Sequence, residues 1–163
     1  MYQASAPIFL RQLATLSAVL RKGADFTLDG PITAAVLVQA RLAPDMATLT
    51  RQVQIATDSV KSAMARLSGT DIPSYADTET TFDDLQARIA KTVAFMEGFD
   101  PAQIDGSEER VIVLKVGAEE VTLNGQAFLL HFAIPNFLFH VTTAYGILRH
   151  NGVVIGKRDY LGR

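Results

Sequence analysis

Residues Asn136 to Gly152 read NFLFHVTTAYGILRHNG, and the fold turns on how this run is placed. Phe137, Leu138, Val141 and Leu148 cover most directions of an α-helical wheel, so the segment predicts a helix buried inside a helical protein. Against that apolar background Asn136, His140, Thr143 and His150 share one stripe, a sector of about 80°. A buried polar group needs a partner. The stripe is therefore either a satisfied polar seam in a helical core or a site that holds a ligand or an ion. His150, directly before Asn151 and Gly152, fits a helix C-terminus where a donor meets free carbonyls.

Outward from this helix, the chain reads as helices with one small hairpin. Phe9, Leu13, Leu16 and Leu20 recur at helical spacing, and Gly23 is the expected end of that first helix. A loop with Pro31 follows. A short helix should precede Pro44, with a break near Ala43, and a long helix should follow it. Met46, Leu49, Val53, Ala56, Val60, Ala63, Met64 and Leu67 make the core face of the long helix, whereas Arg51, Gln54, Asp58 and Lys61 should point away, with Gln52 at the rim. Gly69 is the expected C′ residue. The polar loop TDIPSYADTETTF leads to a third amphipathic helix with Leu85, Ile89, Val93 and Met96 on one face. Val111 and Val113, then Val121 and Leu123, alternate in strand fashion around Gly117 and predict a hairpin. From Gln126 the chain should turn helical again, be interrupted at Pro135, and resume through the opening stretch. Four principal helices with a hairpin before the last predict a mainly α protein, an antiparallel four-helix bundle in a single domain over 1–163.

Composition removes several classes of function. With 163 residues, 48% of them hydrophobic and 20% charged, the chain can bury a large core. A net charge of −2 with scattered Lys and Arg gives no footprint for nucleic acid. The absence of Cys excludes disulfides, thiolate metal sites and a cysteine nucleophile. Arg11 interrupts the first apolar run, which argues against a signal peptide, and no apolar window is expected to reach membrane-spanning length. Cytoplasm is the expected location, and no membrane or nucleic-acid partner is expected.

Motifs for catalysis are weak. GVVIGKR at Gly152 to Arg158 lacks the spacing and the Ser or Thr of a phosphate loop. No serine sits in a strand–turn–helix elbow. The acidic pairs Asp83-Asp84, Glu108-Glu109 and Glu119-Glu120 fall in turns or helix starts, where solvated charge is the expected role. Within the polar stripe, the residue four before His140 is Asn136 and the one four after is Ala144, so no pair of histidines at i and i+4 can chelate an ion. His131 would lie on another face.

Three segments, LAPDMATLTRQVQIATD (42–58), PNFLFHVTTAYGILRHNGV (135–153) and GKRDYLG (156–162), resemble a bacterial domain-of-unknown-function family grouped with the DinB/YfiT-like bundles. The resemblance spans nearly the whole chain. It implies a DinB/YfiT-like four-helix bundle, cytoplasmic residence and a homodimer. Metal-binding members of that superfamily hold nickel or zinc with one histidine from the second long helix and two from an H-x-x-x-H pair in the last. Those positions fall here on Gln52, Asn136 and His140, so one of three ligands is kept. The expectation is a degenerate, metal-free polar centre without a cofactor, in which Gln52, Asn136, His140 and Thr143 bind a small polar ligand. If an ion binds at all, His140 would hold it with Asn136 and Gln52. A metal-dependent hydrolase or thiol transferase of the DinB/YfiT type, and a dimeric interaction module, are the alternatives.

Overall fold

The computed structural model describes residues 1–163, Val116 by its backbone alone. Helix α1 runs from Ala6 to Asp29 with Pro7 in its first turn, where the missing N–H costs nothing. Phe9, Leu13, Leu16 and Leu20 are fully buried along it. The helix does not stop at Gly23, as the sequence suggested, and the reason is packing. A Cβ at Gly23 would lie 2.8 Å from Leu148 Cδ2 and 3.3 Å from the Phe82 ring. The glycine lets two neighbouring helices approach the middle of α1, which outweighs its poor helix propensity of about 1 kcal/mol. Gly23→Val should therefore destabilise the protein by about 1–3 kcal/mol in a denaturant titration, although valine is the better helix former.

A short helix, α2 (Ala34–Val38), begins where the Thr33 side chain accepts from Val36 N. Residues 39–48 then cross to α3 (Leu49–Ser68), whose first turn is capped by the Thr48 side chain. The expected break near Ala43 is thus a ten-residue crossing between a short and a long helix, and Met46 lies outside the helix whose core face it was assigned to. The crossing is tied down by Leu49 N to Ala40 O at 2.9 Å and Thr50 Oγ1 to Val38 O at 3.0 Å. Gly69, in the left-handed conformation at φ 75°, ends α3 as expected.

Helix α4 (Phe82–Glu97) starts with a capping box between Thr81 and Asp84. It buries Leu85, Ile89 and Met96 as expected, and also Arg88 and Thr92. The segment between α3 and α4 decides the topology. Its thirteen residues, 69–81, can reach about 43 Å when extended, more than the roughly 30 Å length of the 20-residue α3. The chain returns along the bundle in this strap and begins α4 beside the start of α3.

Contacts fix the helix directions. Ser17 meets Gln86 while Gly23 meets Phe82, so α1 and α4 are antiparallel. Phe9 packs edge-on against Phe137 and Gly23 faces Leu148, so α1 runs parallel to the last long helix. The bundle is up-down-down-up, with the core between α1, α3, α4 and the last helix.

After a single turn, α5 (Pro101–Ile104), strands β1 (Val111–Val116) and β2 (Glu119–Asn124) form an antiparallel hairpin with Leu114 opposite Val121. Ile112 and Leu114 turn into the core, leaving Val111 and Val113 outside. The Asn124 side chain accepts from Ala127 N and starts a helical run of α6 (Gly125–Ala127), a π-helical turn (Phe128–Ala133) and α7 (Ile134–His150). Pro135 does not interrupt it. The wide π turn immediately before makes room where a proline ring would meet the carbonyl four residues back.

This run, Gly125–His150, is long and apolar enough to cross a membrane by length and composition, contrary to the expectation that no such window exists. In the bundle its Phe137, Val141, Ala144, Ile147 and Leu148 are buried. Gly152 at φ 97° and Val153 N to Leu148 O at 3.1 Å close its C-terminus, with Asn151 Nδ2 donating to Ile147 O at 2.8 Å. The cap comes from Asn151, while His150 is exposed. Residues after it fold back as α8 (Lys157–Tyr160), held to α1 by the Lys22–Asp159 ion pair.

Candidate functional site

Helices α3 and α7 run antiparallel, so successive polar residues on one find successive partners on the other. Gln52, buried on the first turn of α3, meets His140, with 2.7 Å between Gln52 Oε1 and His140 Nδ1. Two turns further along α3, Ser59 Oγ accepts from Asn136 Nδ2 at 2.7 Å. The amide nitrogen of Gln52 donates to Ala47 O at 3.2 Å, in the crossing before α3. Thr143 donates to Phe139 O, a carbonyl of its own helix, at 2.8 Å.

The predicted stripe is therefore a seam of separate pairs. Gln52 and His140 are brought together, Asn136 joins Ser59 instead, Thr143 turns back on α7, and His131 and His150 are exposed and apart. A helix rotates by about 100° per residue, so a sector of 80° still spreads Asn136 and His140 over a full turn of about 5.4 Å along the axis. Each then meets a different residue of α3.

The imidazole of His140 stands edge-on to the Phe139 ring, 5.2 Å between centroids. Burial first, and then the nearby Arg51 guanidinium, hold its pKa below the usual histidine value of 6.5. The neutral ring pairs as Nδ1–H donating to Gln52 Oε1, since that amide oxygen can only accept. Protons bind the unfolded chain more readily than the folded one, so His140 contributes stability that is fully present above pH 6.5 and is lost as pH falls through its lower folded value. In His140→Gln the acid-side decline of the unfolding midpoint that begins below pH 6.5 should be shallower than in the wild type.

Beside the seam lies a cavity of about 270 Å³, between α3, the hairpin and the π turn. Its polar lining is Arg51, Asp58, Ser59, Ser62 and Asn136. Phe128 and Phe132 form an apolar wall, their rings stacked with centroids 6.0 Å apart and planes 23° apart. Of the predicted site residues, only Asn136 lines it.

The three residues that the superfamily resemblance aligns with ion ligands do not suit nickel or zinc. Two are amides, poor ligands for either ion. The one imidazole commits Nδ1 to Gln52, Asn136 turns to Ser59, and the Arg51 cation disfavours a further positive charge. Among the described residues no group of three or more His, Asp or Glu is placed to hold an ion.

A second polar cluster escaped the sequence reading. Gln54 and Lys61, expected to face solvent, are buried because the strap 69–81 covers them. Arg88 lies beneath the strap and donates to Thr57 Oγ1 at 2.8 Å, Ala76 O at 3.0 Å, Glu79 at 2.9 Å and Asp58 at 2.9 Å. Tyr75 covers the cluster, its ring centroid 4.0 Å from Lys61 Nζ and 4.1 Å from Lys91 Nζ. Burial alone would raise the Glu79 pKa, but the hydrogen bonds from Arg88 and Gln54 bring it below the ordinary value of 4.5. Its signal in the sequence was an arginine at position 88, on the stripe made by Leu85, Ile89, Thr92 and Met96.

No curated protein matches the chain. A crystal structure of a DinB family member protein from Shewanella denitrificans is 40% identical, with a TM-score of 0.90, over 99% of this chain and 92% of that one. A family model described as a domain of unknown function, DUF1993, matches residues 1–161. With bundle, hairpin and chain length all accounted for by these two matches, the chain belongs to the DUF1993 family and to the DinB-type proteins.

Proposed function

We propose that this DinB-type protein binds a small polar organic molecule beside the α3–α7 seam and works there without a resident metal. The observation that carries the reading is the pairing of the seam. Gln52 with His140 and Asn136 with Ser59 satisfy one another without an ion, while a cavity with mixed donors and acceptors opens at Asn136. A metal-dependent hydrolase or thiol transferase would need three donors converging on one point. The donors here separate along the helix.

Thermal unfolding in the presence of a library of small polar compounds tests the proposal. A subset should raise the midpoint by about 5 °C at concentrations far above their dissociation constants. Asn136→Ala should remove that response while keeping the helical circular dichroism of the wild type. A library that leaves the midpoint unmoved, or shifts that are the same in Asn136→Ala, would count against it.

A further inference from the structure

Building on the small-ligand reading, we infer that the cavity takes a carboxylic acid with a short apolar or single-ring body, its carboxylate gripped by Arg51. The cavity has two chemically different parts. Phe128 and Phe132 offer an apolar wall, and Arg51 and the Asn136 amide offer donors, the Ser59 hydroxyl being spent on Ile55 O at 2.7 Å. Its volume of about 270 Å³ falls just under the roughly 300–1,000 Å³ of drug-sized sites, which restricts the occupant to one ring or a short chain.

Arg51 selects the anion. Both of its hydrogen bonds, to Gln54 Oε1 and to Asp77 Oδ2, leave from Nη1. The Nε–Nη2 edge, the side of a guanidinium that holds a carboxylate by two parallel bonds, has no partner among the described contacts. Asp77 and Gln54 fix the head of Arg51 by its other nitrogen, so the open edge is held in place before a ligand arrives.

The other charge on the cavity wall does not oppose an anion. Asp58 Oδ1 accepts from Arg88 Nη2 at 2.9 Å and from Lys61 Nζ at 2.8 Å, so two cations already face its one carboxylate. The pKa of His140 is lowered first by burial and then by Arg51, whose charge reaches the seam. Arg51, Lys61 and Arg88 are balanced by Asp58, Asp77 and Glu79, so a carboxylate at Arg51 would be held by the open fork itself rather than by a surplus of positive charge, with the Asn136 amide beside it.

The test is a titration of 15N-labelled protein followed by amide chemical shifts, with benzoate, phenylacetate and hexanoate set against their neutral primary amides. The acids should shift the amides of Ile55, Ser59, Phe128, Phe132, Ala133 and Asn136 saturably, and bind at least about tenfold more tightly than the neutral partners. Arg51→Gln should abolish the preference for the acids, and Arg51→Lys should restore it only in part, because lysine keeps the charge without the fork. The Arg51 side chain is 47% exposed, so both variants should keep the wild-type fold, which the same spectra report.

Neutral amides binding as tightly as the acids, or an undiminished acid preference in Arg51→Gln, would overturn the inference and leave the small-ligand reading standing. Acids that shift only amides remote from the cavity, or that produce no shifts up to about 10 mM, would overturn it as well. The thermal screen then decides the small-ligand reading separately.

Discussion

Arg88→Ala should lower stability by about 3–5 kcal/mol, the cost of breaking a buried ion pair from one side. For a chain of this size that corresponds to a fall of roughly 10 °C in the unfolding midpoint. The side chain is 2% exposed, and each of its three guanidinium nitrogens has a partner, the Thr57 hydroxyl, the Ala76 carbonyl and the carboxylates of Glu79, Asp58 and Asp77. Without it Glu79, a strap residue whose side chain is only 11% exposed, keeps its charge against the bundle with no cation bonded to it.

The strap itself would loosen, since Ala76 and Glu79 are anchored to α4 through this one side chain. Arg88→Lys should recover only part of the loss, because one ammonium cannot reach acceptors spread around a planar fork. A double-mutant cycle with Glu79→Gln should show a coupling of about 1–3 kcal/mol. A loss below about 1 kcal/mol for Arg88→Ala would mean that the cluster behaves as an exposed ion pair. Acid should act on the same cluster. The depressed pKa of Glu79 makes its contribution present above pH 4.5 and lost as pH falls below that, at lower pH than the decline owed to His140.

Phe137→Ala should cost about 3–5 kcal/mol, the range for removing a buried aromatic ring. Phe137 is fully buried in α7 and meets Phe9 of α1 edge to face, with ring centroids 5.3 Å apart. The lost contacts join the two parallel helices of the bundle, and no small rotation of neighbouring side chains fills a space of that size. Phe139, two residues on, is 55% exposed, so Phe139→Ala should change stability by no more than about 0.5 kcal/mol. Chemical denaturation of both variants gives the comparison. Equal effects would contradict the placement of α7.

The same contrast explains what the sequence could reveal. Helical periodicity identified the buried faces of α1, α3 and α4, because each turns one apolar stripe toward a shared core. It could not settle α7, which is apolar on nearly every side, so Phe137 and Phe139 look alike until neighbours are known. Gly23 and Pro135 misled for a common reason. Their local propensities favour a helix end, but in the one case close packing outweighs the local penalty and in the other a π turn removes it.

The candidate site was legible in part. One-residue geometry placed Asn136 and His140 on one face, and the family resemblance pointed to Gln52, yet their partners depended on where α3 lies along α7. Ser59 and Arg51 carried no signal of their own. The buried faces of Gln54, Lys61 and Arg88 were hidden because a segment of thirteen residues without regular structure covers them, and periodicity is silent about such a segment.

The most direct test of the metal-free seam is elemental mass spectrometry on tag-free protein purified without chelator and dialysed against trace nickel and zinc, beside His140→Ala. The account predicts well under one ion per chain in both proteins. About one nickel or zinc per chain in the wild type, lost in His140→Ala, would contradict it.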